Sequence, residues 1–151
     1  MQTHELDLIA RNDIFLMKSF IGVYARDQIP DIDRHRDVSF IVNKDNSDQP
    51  GSHWIAVYYM MNGPIYLYCS FGLSPRDYGL KLGHTRREIH NSDQHQPYVS
   101  HDCGFYALYM LLNISRGNTW KQVMSGFHKT GLERNEFLIE NYFENYNGLH
   151  C

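Results

Sequence analysis

The 151-residue sequence predicts an α+β fold in which a central, mainly antiparallel sheet is flanked by helices. Two runs rich in β-branched and aromatic residues, HWIAVYYM at 53–60 and IYLYCSF at 65–71, are separated by the turn-forming sequence NGP. This pattern predicts an antiparallel hairpin at the centre of the sheet. Residues 102–115 are apolar on nearly every side, which predicts a buried helix, and residues 132–146 predict a second, amphipathic helix.

Weaker signals lie in the rest of the chain. Apolar residues recur at roughly helical intervals in residues 5–24, which predicts two short helices, the second capped by Asp13. The β-branched run at 38–42 predicts a further strand, and the polar residues 43–52 predict a loop. Between residues 72 and 98 we expect no more than a helical stretch at 86–90. The length is that of one ordinary domain, so we expect residues 1–151 to form a single domain.

Composition and charge narrow the function classes. Hydrophobic residues make up 42% of the chain and charged residues 21%, as in globular proteins. The formal net charge of −3 gives no general attraction for a polyanion, so nucleic-acid binding is not implied. Apolar stretches stay well short of the roughly eighteen residues that a membrane span needs. Three cysteines and no signal-like start predict a reduced, intracellular setting, not secretion.

Cys103 is the candidate nucleophile. It follows Asp102 at the predicted N-terminus of the buried helix, where free amides and the helix dipole favour a thiolate by about 0.3–1 kcal/mol. Gly104 beside it allows a substrate backbone to approach closely. A lone cysteine is more often a small apolar core residue, so its neighbours decide the interpretation. We assign Asp102 and Gly104, together with Trp54, to the substrate-binding part of the site.

The neighbours supply an oxyanion donor and a base. Gln96 lies seven residues before Cys103, close enough for its amide to form a two-donor oxyanion hole with the Cys103 backbone N–H. His101 is near in sequence but is typical of a solvent-facing loop residue. His53 opens a predicted strand and is followed by Trp54, which can shield an imidazole from water, so we expect His53 to be the base. Nine histidines are present, and spacing alone does not choose among them: His4, His35, His53, His84, His90, His95, His101, His128 and His150.

Four short motifs occur in a fixed order: GSHW at 51–54, CSFG at 69–72, the glutamine at 96 and DCG at 102–104. Their order and spacing resemble those of the adenovirus endopeptidase family, which includes proteases of Maverick or Polinton transposons and virophages. The SUMO-deconjugating proteases are more distant members of the same group. The likeness extends to GVYARDQIP at 22–30, SFIVN at 39–43 and NEFLIENYFENY at 135–146, so it covers nearly the whole chain.

The resemblance implies a papain-like, adenain-like α+β fold, with the nucleophile helix and the base strand on opposite walls of a groove. It implies a cysteine endopeptidase that cleaves viral or transposon-encoded precursor proteins after small residues, often Gly-Gly or Gly-X, during virion maturation. The expected partners are viral structural precursors, and the expected location is the virion and the interior of the infected cell. We expect no cofactor, no metal and no membrane partner.

One position departs from the family pattern. The motif CSFG places Cys69 where the family has Asp or Glu, the carboxylate that fixes the imidazole tautomer. Three explanations are open: a working Cys–His dyad, an inactive peptide-binding homologue, or a zinc site formed by Cys69, His53 and Cys103. A substitute such as Asn43 or Asp45 supporting the histidine is also open.

Two further expectations concern activation and alternative substrates. The adenovirus enzyme is stimulated by DNA and by a viral peptide joined through a disulfide to the segment before the glutamine. Here that segment, residues 72–95, has no cysteine, and the net charge is negative, so composition supports neither route. A deconjugating protease for a ubiquitin-like modifier is the alternative enzyme. The resemblance implies, however, that in that branch the glutamine lies one residue closer to the cysteine than Gln96 lies to Cys103.

Overall fold

The computed structural model describes residues 3–48, 53–82 and 86–146, which leaves Cys151 and the Gly-Ser of the GSHW motif outside the described residues. A five-stranded sheet forms the centre, with its strands in sequence order. The strands are β1 (Phe20–Tyr24), β2 (Val38–Asn43), β3 (Trp54–Tyr59), β4 (Ile65–Tyr68) and β5 (Glu88–His90). The α-helices are α1 (Thr3–Asn12), α2 (Cys103–Ser115), α3 (Trp120–Ser125) and α4 (Glu133–Glu144), and short 3-10 turns occupy Leu16–Lys18 and Arg26–Gln28.

The predicted hairpin is confirmed. Strands β3 and β4 pair antiparallel, with Tyr59 opposite Ile65, and β2 pairs antiparallel with β3 on the other side. Asn62 in the connecting turn has φ 59°, a left-handed conformation that asparagine tolerates. The two edge strands β1 and β5 instead pair in parallel with their neighbours. The sheet is therefore antiparallel at its centre, as predicted, and mixed overall.

Two local predictions are wrong. In residues 5–24 the second predicted helix is only the three-residue 3-10 helix Leu16–Lys18, and residues 20–24 form β1 where helix was expected. Asp13 does act as a cap, since its carboxylate accepts the backbone N–H of Phe15 and of Leu16. Residues 86–90 contribute the edge strand β5 where a helical stretch was expected. In both places pairing with a neighbouring strand outweighs the local preference.

Both faces of the sheet are covered, which explains the uncharged, β-rich sequences of its central strands. Side chains alternate between the faces along each strand. Helix α2 packs mainly against β3 and covers one face, with Ala56, Tyr58 and Tyr68 in the shared core. The opposite face buries a second cluster, which includes Ile55, Val57, Tyr59, Ile65, Leu67 and Cys69.

The helices agree only partly with the sequence pattern. Helix α2 is buried along most of its length, as predicted. The second predicted helix is confirmed as α4, in which Ile139 and Asn135 are buried and Phe137 is 70% exposed. Helix α3 was missed, although Thr119 and Gln122 form a capping box that marks its start. No helix within the described ranges is long and apolar enough to cross a membrane.

A buried carboxylate joins three parts of the fold. Asp13, between α1 and the following 3-10 turn, is fully buried and forms an ion pair of 2.6 Å with Arg116 at the end of α2. The hydroxyl of Tyr146, just after α4, donates to the same carboxylate at 2.7 Å. Burial raises the pKa of Asp13, but these partners outweigh it and the net pKa is lowered. Asp13 is therefore held ionised where the helices meet.

Candidate active site

His53 lies immediately before β3, at the end of the sheet where β2 also ends. The Lys44 N–H donates to the His53 carbonyl at 3.0 Å, which extends the β2–β3 pairing to the histidine. Its side chain is 3% exposed. His53 lies two residues before Ile55, and side chains two residues apart on a strand point to the same face of the sheet. The His53 side chain therefore lies on the face that buries Ile55 and Cys69. The base candidate is therefore fixed by a strand and not by a loop.

Cys69 directly follows β4 and contacts the candidate base. Its Sγ lies 3.2 Å from Nε2 of His53, within hydrogen-bonding distance for sulfur. The thiol is completely buried, and burial raises its pKa, so it is neutral at physiological pH. A neutral thiol is a weak hydrogen-bond partner for Nε2 in either direction, whereas the carboxylate of the family pattern accepts the Nε2 proton strongly.

The backbone around Cys69 is held by a side chain that the sequence analysis did not identify. Asn91 accepts the Cys69 N–H at 3.0 Å and donates to the Cys69 carbonyl at 2.6 Å. The Gly72 N–H also donates to that carbonyl, at 2.9 Å. Gly72 has φ +75°, and a Cβ there would lie 2.7 Å from the backbone carbon of Asp93. The last residue of the CSFG motif is a glycine for these two reasons.

Phe71 is the second residue that sequence reasoning missed. Its ring stacks on the His53 imidazole, with centroids 4.7 Å apart and planes inclined by 23°. The Phe71 ring also packs against the exposed ring of Tyr98, with the two ring centroids 5.5 Å apart. We assigned the shielding of the base to Trp54, and Phe71 lies over the imidazole in the structure. The signal was available, because Phe71 belongs to the quoted CSFG motif.

Cys103 begins α2, and its thiol is only partly buried. Burial raises the pKa of the thiol, and the backbone amides of Trp54 and Gly104 lower it by less. The pKa of Cys103 is therefore raised overall. The expected stabilisation of a resting thiolate is thus outweighed by burial. The influence of the Trp54 amide places the thiol beside the first residue of β3, one position after His53.

Asp102 occupies the N-cap position of α2 without capping it: within the described residues its side chain makes no capping hydrogen bond. Its backbone carbonyl accepts the Tyr106 N–H at 3.1 Å. Burial and the nearby Glu136 carboxylate raise the pKa of Asp102. The side chain lines an apolar groove of about 520 Å³, together with Phe105 and Phe143. Gly104, the next assigned substrate residue, is buried.

Trp54 is half-buried and lies on the α2 face of the sheet, opposite Asn43 of β2. It forms one side of a polar cleft of about 290 Å³, to which Asn43, Tyr24 and Gln28 also contribute. The cleft lies at the same end of β3 as His53. Asn43 uses its side-chain oxygen to accept the Asp45 N–H at 2.8 Å.

The imidazole of His53 has one bonded and one open nitrogen. Nε2 meets Cys69, whereas Nδ1 is buried and has no hydrogen-bond partner among the described residues. The suggestion that Asn43 or Asp45 supports the ring is therefore not supported within the described residues. Burial lowers the pKa of His53 to about 4, and the Lys44 ammonium acts in the same direction. At neutral pH the ring is uncharged, and a proton on Nε2 leaves the Nδ1 lone pair available.

Gln96 is fully buried, and both ends of its carboxamide are bonded. Its oxygen accepts the Ser70 hydroxyl at 2.5 Å, and its nitrogen donates to the carbonyl and the hydroxyl of Ser100 at 3.0 and 3.2 Å. The Ser100 hydroxyl also accepts the Asp102 N–H at 3.2 Å. The donor end of Gln96 is thus directed at the segment that leads into Cys103, and its oxyanion role stays a prediction.

The zinc alternative is not supported by the side chains present. Within residues 3–48, 53–82 and 86–146, no group of three or more His, Cys, Asp or Glu side chains is arranged to hold a metal ion. His53 contacts Cys69, but Cys103 does not complete a three-ligand set with them.

No protein-family model matches the sequence, and comparison with curated proteins finds no significant match. Among solved structures, the central domain of the Lpg1148 protein of Legionella pneumophila aligns with a TM-score of 0.53 at 15% identity, covering 95% of this chain and 94% of that one. The ASFV pS273R protease aligns with a TM-score of 0.48 at 22% identity, covering 69% and 43% of the two chains. The SUMO protease Ulp1 aligns with a TM-score of 0.39 at 15% identity, covering 72% and 53%.

These likenesses, all at low identity, concern the fold. The predicted α+β fold, with a cysteine at the N-terminus of its buried helix, is confirmed by the structure. Of the aligned structures, the Lpg1148 domain shares this fold with a TM-score of 0.53. The chain spans about half the length of the two proteases that it matches.

Proposed function

We propose that this chain is a cysteine endopeptidase in which Cys103 is the nucleophile and His53 is the general acid and base. The arrangement of the imidazole carries the proposal. Its Nε2 is bonded to Cys69, its Nδ1 is buried and unpartnered within the described structure, and the Cys103 thiol lies beside the neighbouring Trp54 amide. A buried, uncharged imidazole with one free nitrogen is suited to accept the proton of a thiol nucleophile.

The reaction begins from a neutral pair. Nδ1 of His53 accepts the Cys103 proton as the sulfur attacks the scissile carbonyl carbon and forms the C–S bond. The electron pair of the carbonyl moves to its oxygen, where the Cys103 N–H and the Gln96 side-chain amide are the proposed donors. The imidazolium then gives its proton to the departing amine as the C–N bond breaks. Water, deprotonated by His53, hydrolyses the resulting thioester and returns Cys103 to the thiol form.

The substrate class rests on the motif resemblance and not on the geometry. We infer that the chain cuts viral or transposon-encoded precursor proteins after small residues such as Gly-Gly or Gly-X, inside the virion or the infected cell. The cleft beside Trp54 and the groove beside Asp102 lie next to the ends of the two elements that carry His53 and Cys103. They are the surfaces on which we place the polypeptide.

A second candidate is a catalytically impaired peptide-binding homologue. It is favoured by Cys69, because a neutral thiol supports the imidazolium less well than a carboxylate does. Activity of the purified chain distinguishes this candidate from the enzyme.

Reaction with a Gly-Gly peptide vinyl sulfone, followed by mass spectrometry, tests the proposal. We expect the adduct on Cys103, formed faster than with a free thiol at pH 7, and we expect it to be lost in His53→Ala. His101→Ala is the matched control, since His101 is exposed and lies two residues before the nucleophile. Modification of Cys103 at the free-thiol rate, or equally fast in His53→Ala, rejects the catalytic function and leaves the binding homologue.

A further inference from the structure

Ser70, the residue after Cys69, forms two hydrogen bonds with the proposed oxyanion donor Gln96 and a third with the preceding residue, His95. It is buried, and its hydroxyl donates to the Gln96 side-chain oxygen at 2.5 Å. Its carbonyl accepts the backbone N–H of Gln96 at 3.0 Å and that of His95 at 2.8 Å. Both the backbone and the side chain of Gln96 are therefore fixed by one serine.

The Ser70 hydroxyl and the Ser100 carbonyl together set which end of the carboxamide is turned toward the start of α2. A glutamine amide has an oxygen that repels an oxyanion and a nitrogen that stabilises one, and a half-turn about its last bond exchanges the two. Because the Ser70 hydroxyl occupies the oxygen, the nitrogen points to Ser100, three residues before Cys103. The reversed orientation would bring the amide oxygen against the Ser100 carbonyl, where two acceptors meet, and would replace the bond that the Ser70 hydroxyl donates by one that it accepts.

We propose that Ser70 is a positioning residue, whose hydroxyl holds the Gln96 amide nitrogen toward the start of α2 for oxyanion stabilisation. This rests on the proposed function. The CSFG segment then serves both arms of the site, since Cys69 contacts the base through its side chain and Ser70 orients the oxyanion donor. The position matters because an oxyanion donor acts only when its N–H is already aimed at the developing charge.

Two probes with different requirements separate positioning from folding. A Gly-Gly peptide aldehyde forms a tetrahedral hemithioacetal and uses the oxyanion donors, whereas chloroacetamide alkylates Cys103 without a tetrahedral oxyanion. In Ser70→Ala we expect aldehyde affinity to fall by roughly tenfold to a hundredfold, a fraction of the effect of losing one such donor. We expect the chloroacetamide rate to stay within about twofold of wild type, because this reaction does not use the donor that Ser70 orients.

Four control variants show whether a loss of aldehyde affinity comes from the Ser70 hydroxyl. Ser39→Ala removes another buried serine hydroxyl, that of Ser39 on β2, which lies 2.8 Å from the Ser19 hydroxyl. This variant is expected to leave the aldehyde affinity and the chloroacetamide rate unchanged. Ser70→Thr keeps the hydroxyl donor and is expected to retain aldehyde affinity. Ser70→Ala added to Gln96→Ala is expected to cause no further loss. If Ser70→Ala does not fold, Ser70→Cys, with a weak donor of similar shape, is measured in its place.

An unchanged aldehyde affinity in folded Ser70→Ala, or an equal loss for both probes, overturns the positioning role while the proposed function stands. A wild-type protein that forms no aldehyde adduct at all overturns the proposed function and the positioning role together. The two failures are therefore distinguishable in one set of measurements.

Discussion

The imidazole of His53 and the thiol of Cys69 meet at 3.2 Å, with both side chains buried on one face of the sheet. This contact places a neutral sulfur where the resemblance to adenovirus endopeptidases implies a carboxylate. It holds the ring by a weak hydrogen bond and leaves Nδ1 as the nitrogen that the proposed mechanism uses. In the proposed mechanism the Cys–His pair therefore starts uncharged, and packing against Phe71, more than an ionic partner, sets the orientation of the imidazole.

Replacing the thiol by a carboxylate is expected to strengthen catalysis. In Cys69→Asp the new carboxylate accepts the Nε2 proton and stabilises the imidazolium, so we expect kcat/KM on a Gly-Gly peptide to rise about tenfold or more. Cys69→Ser, which is neutral and of similar size, is the matched control and is expected to stay near wild type. A folded Cys69→Asp protein with lower activity than Cys69→Ser contradicts this account of the third position.

Acid is expected to destabilise the fold through two buried histidines. Burial lowers the pKa of His53 and of His95 to about 4, below the ordinary value of 6.5. Because the unfolded chain binds these protons more readily, stability is complete above about pH 7 and declines from about pH 6.5 to about pH 4, by roughly 3 kcal/mol for each histidine. Urea unfolding at pH 7 and pH 5 measures the loss.

His95→Gln separates the two contributions. The glutamine keeps a polar partner for the Tyr68 hydroxyl, which bonds His95 Nδ1 at 2.8 Å, but it does not titrate. We expect the loss of stability between pH 7 and pH 5 to be about halved in this variant and unchanged in His101→Gln, an exposed control. Equal acid sensitivity in His95→Gln and wild type shows that His95 is not responsible.

Gly72→Ala is expected to disturb both the fold and the site. The added Cβ would lie 2.7 Å from the backbone carbon of Asp93, in a residue with φ +75° that alanine disfavours. Gly117→Ala is the matched control, since Gly117 also has positive φ but no described atom within 4 Å of the added Cβ. We expect thermal unfolding to show a loss of about 1 kcal/mol for Gly117→Ala and a clearly larger loss for Gly72→Ala.

The outcome at Cys103 distinguishes a local effect of Gly72 from a general one. Since Gly72 bonds the Cys69 carbonyl, Gly72→Ala is also expected to slow vinyl sulfone labelling in the folded fraction. Gly117→Ala is expected to label at the wild-type rate. Similar losses of stability in the two variants rule out the backbone clash as the reason for this glycine.

Breaking the ion pair between Asp13 and Arg116 is expected to loosen the helical layer. Arg116→Met retains most of the aliphatic side chain but leaves the fully buried Asp13 carboxylate without its cation, at a cost of roughly 3 kcal/mol. Chemical denaturation measures the change. Arg11→Met is the control, because Arg11 forms an exposed ion pair with Asp7, and such pairs contribute about 0–1 kcal/mol. Equal effects of the two substitutions contradict the structural role of Asp13.

The local pattern of apolar and polar residues was enough to predict the long, regular helices and strands. The alternating, uncharged runs around the NGP turn predicted the β3–β4 hairpin, and the apolar residues after Cys103 predicted α2. Strands β1 and β5 were not predicted, because they form by pairing with strands that are distant in sequence. Parallel pairing also leaves little pattern in a short stretch of sequence.

The candidate site was predictable where residues belong to motifs and not where they act from a distance. His53 and Cys69 belong to quoted motifs, and the structure brings them into contact. Asn91 is far from both in sequence, and an isolated asparagine carries no signal that it will brace the Cys69 backbone. The charge state was also missed, since burial of His53 and Cys103 depends on packing of the whole fold.

The most direct test of the central claim is the rate at which Gly-Gly peptide vinyl sulfone modifies Cys103 between pH 4 and pH 9. In wild type we predict a rate that rises through a pKa of about 4, as His53 loses its proton, and levels off above about pH 6. In His53→Gln we predict a slow reaction at pH 7 that increases only as the free thiol ionises. Superimposable profiles for the two proteins contradict a Cys103–His53 pair.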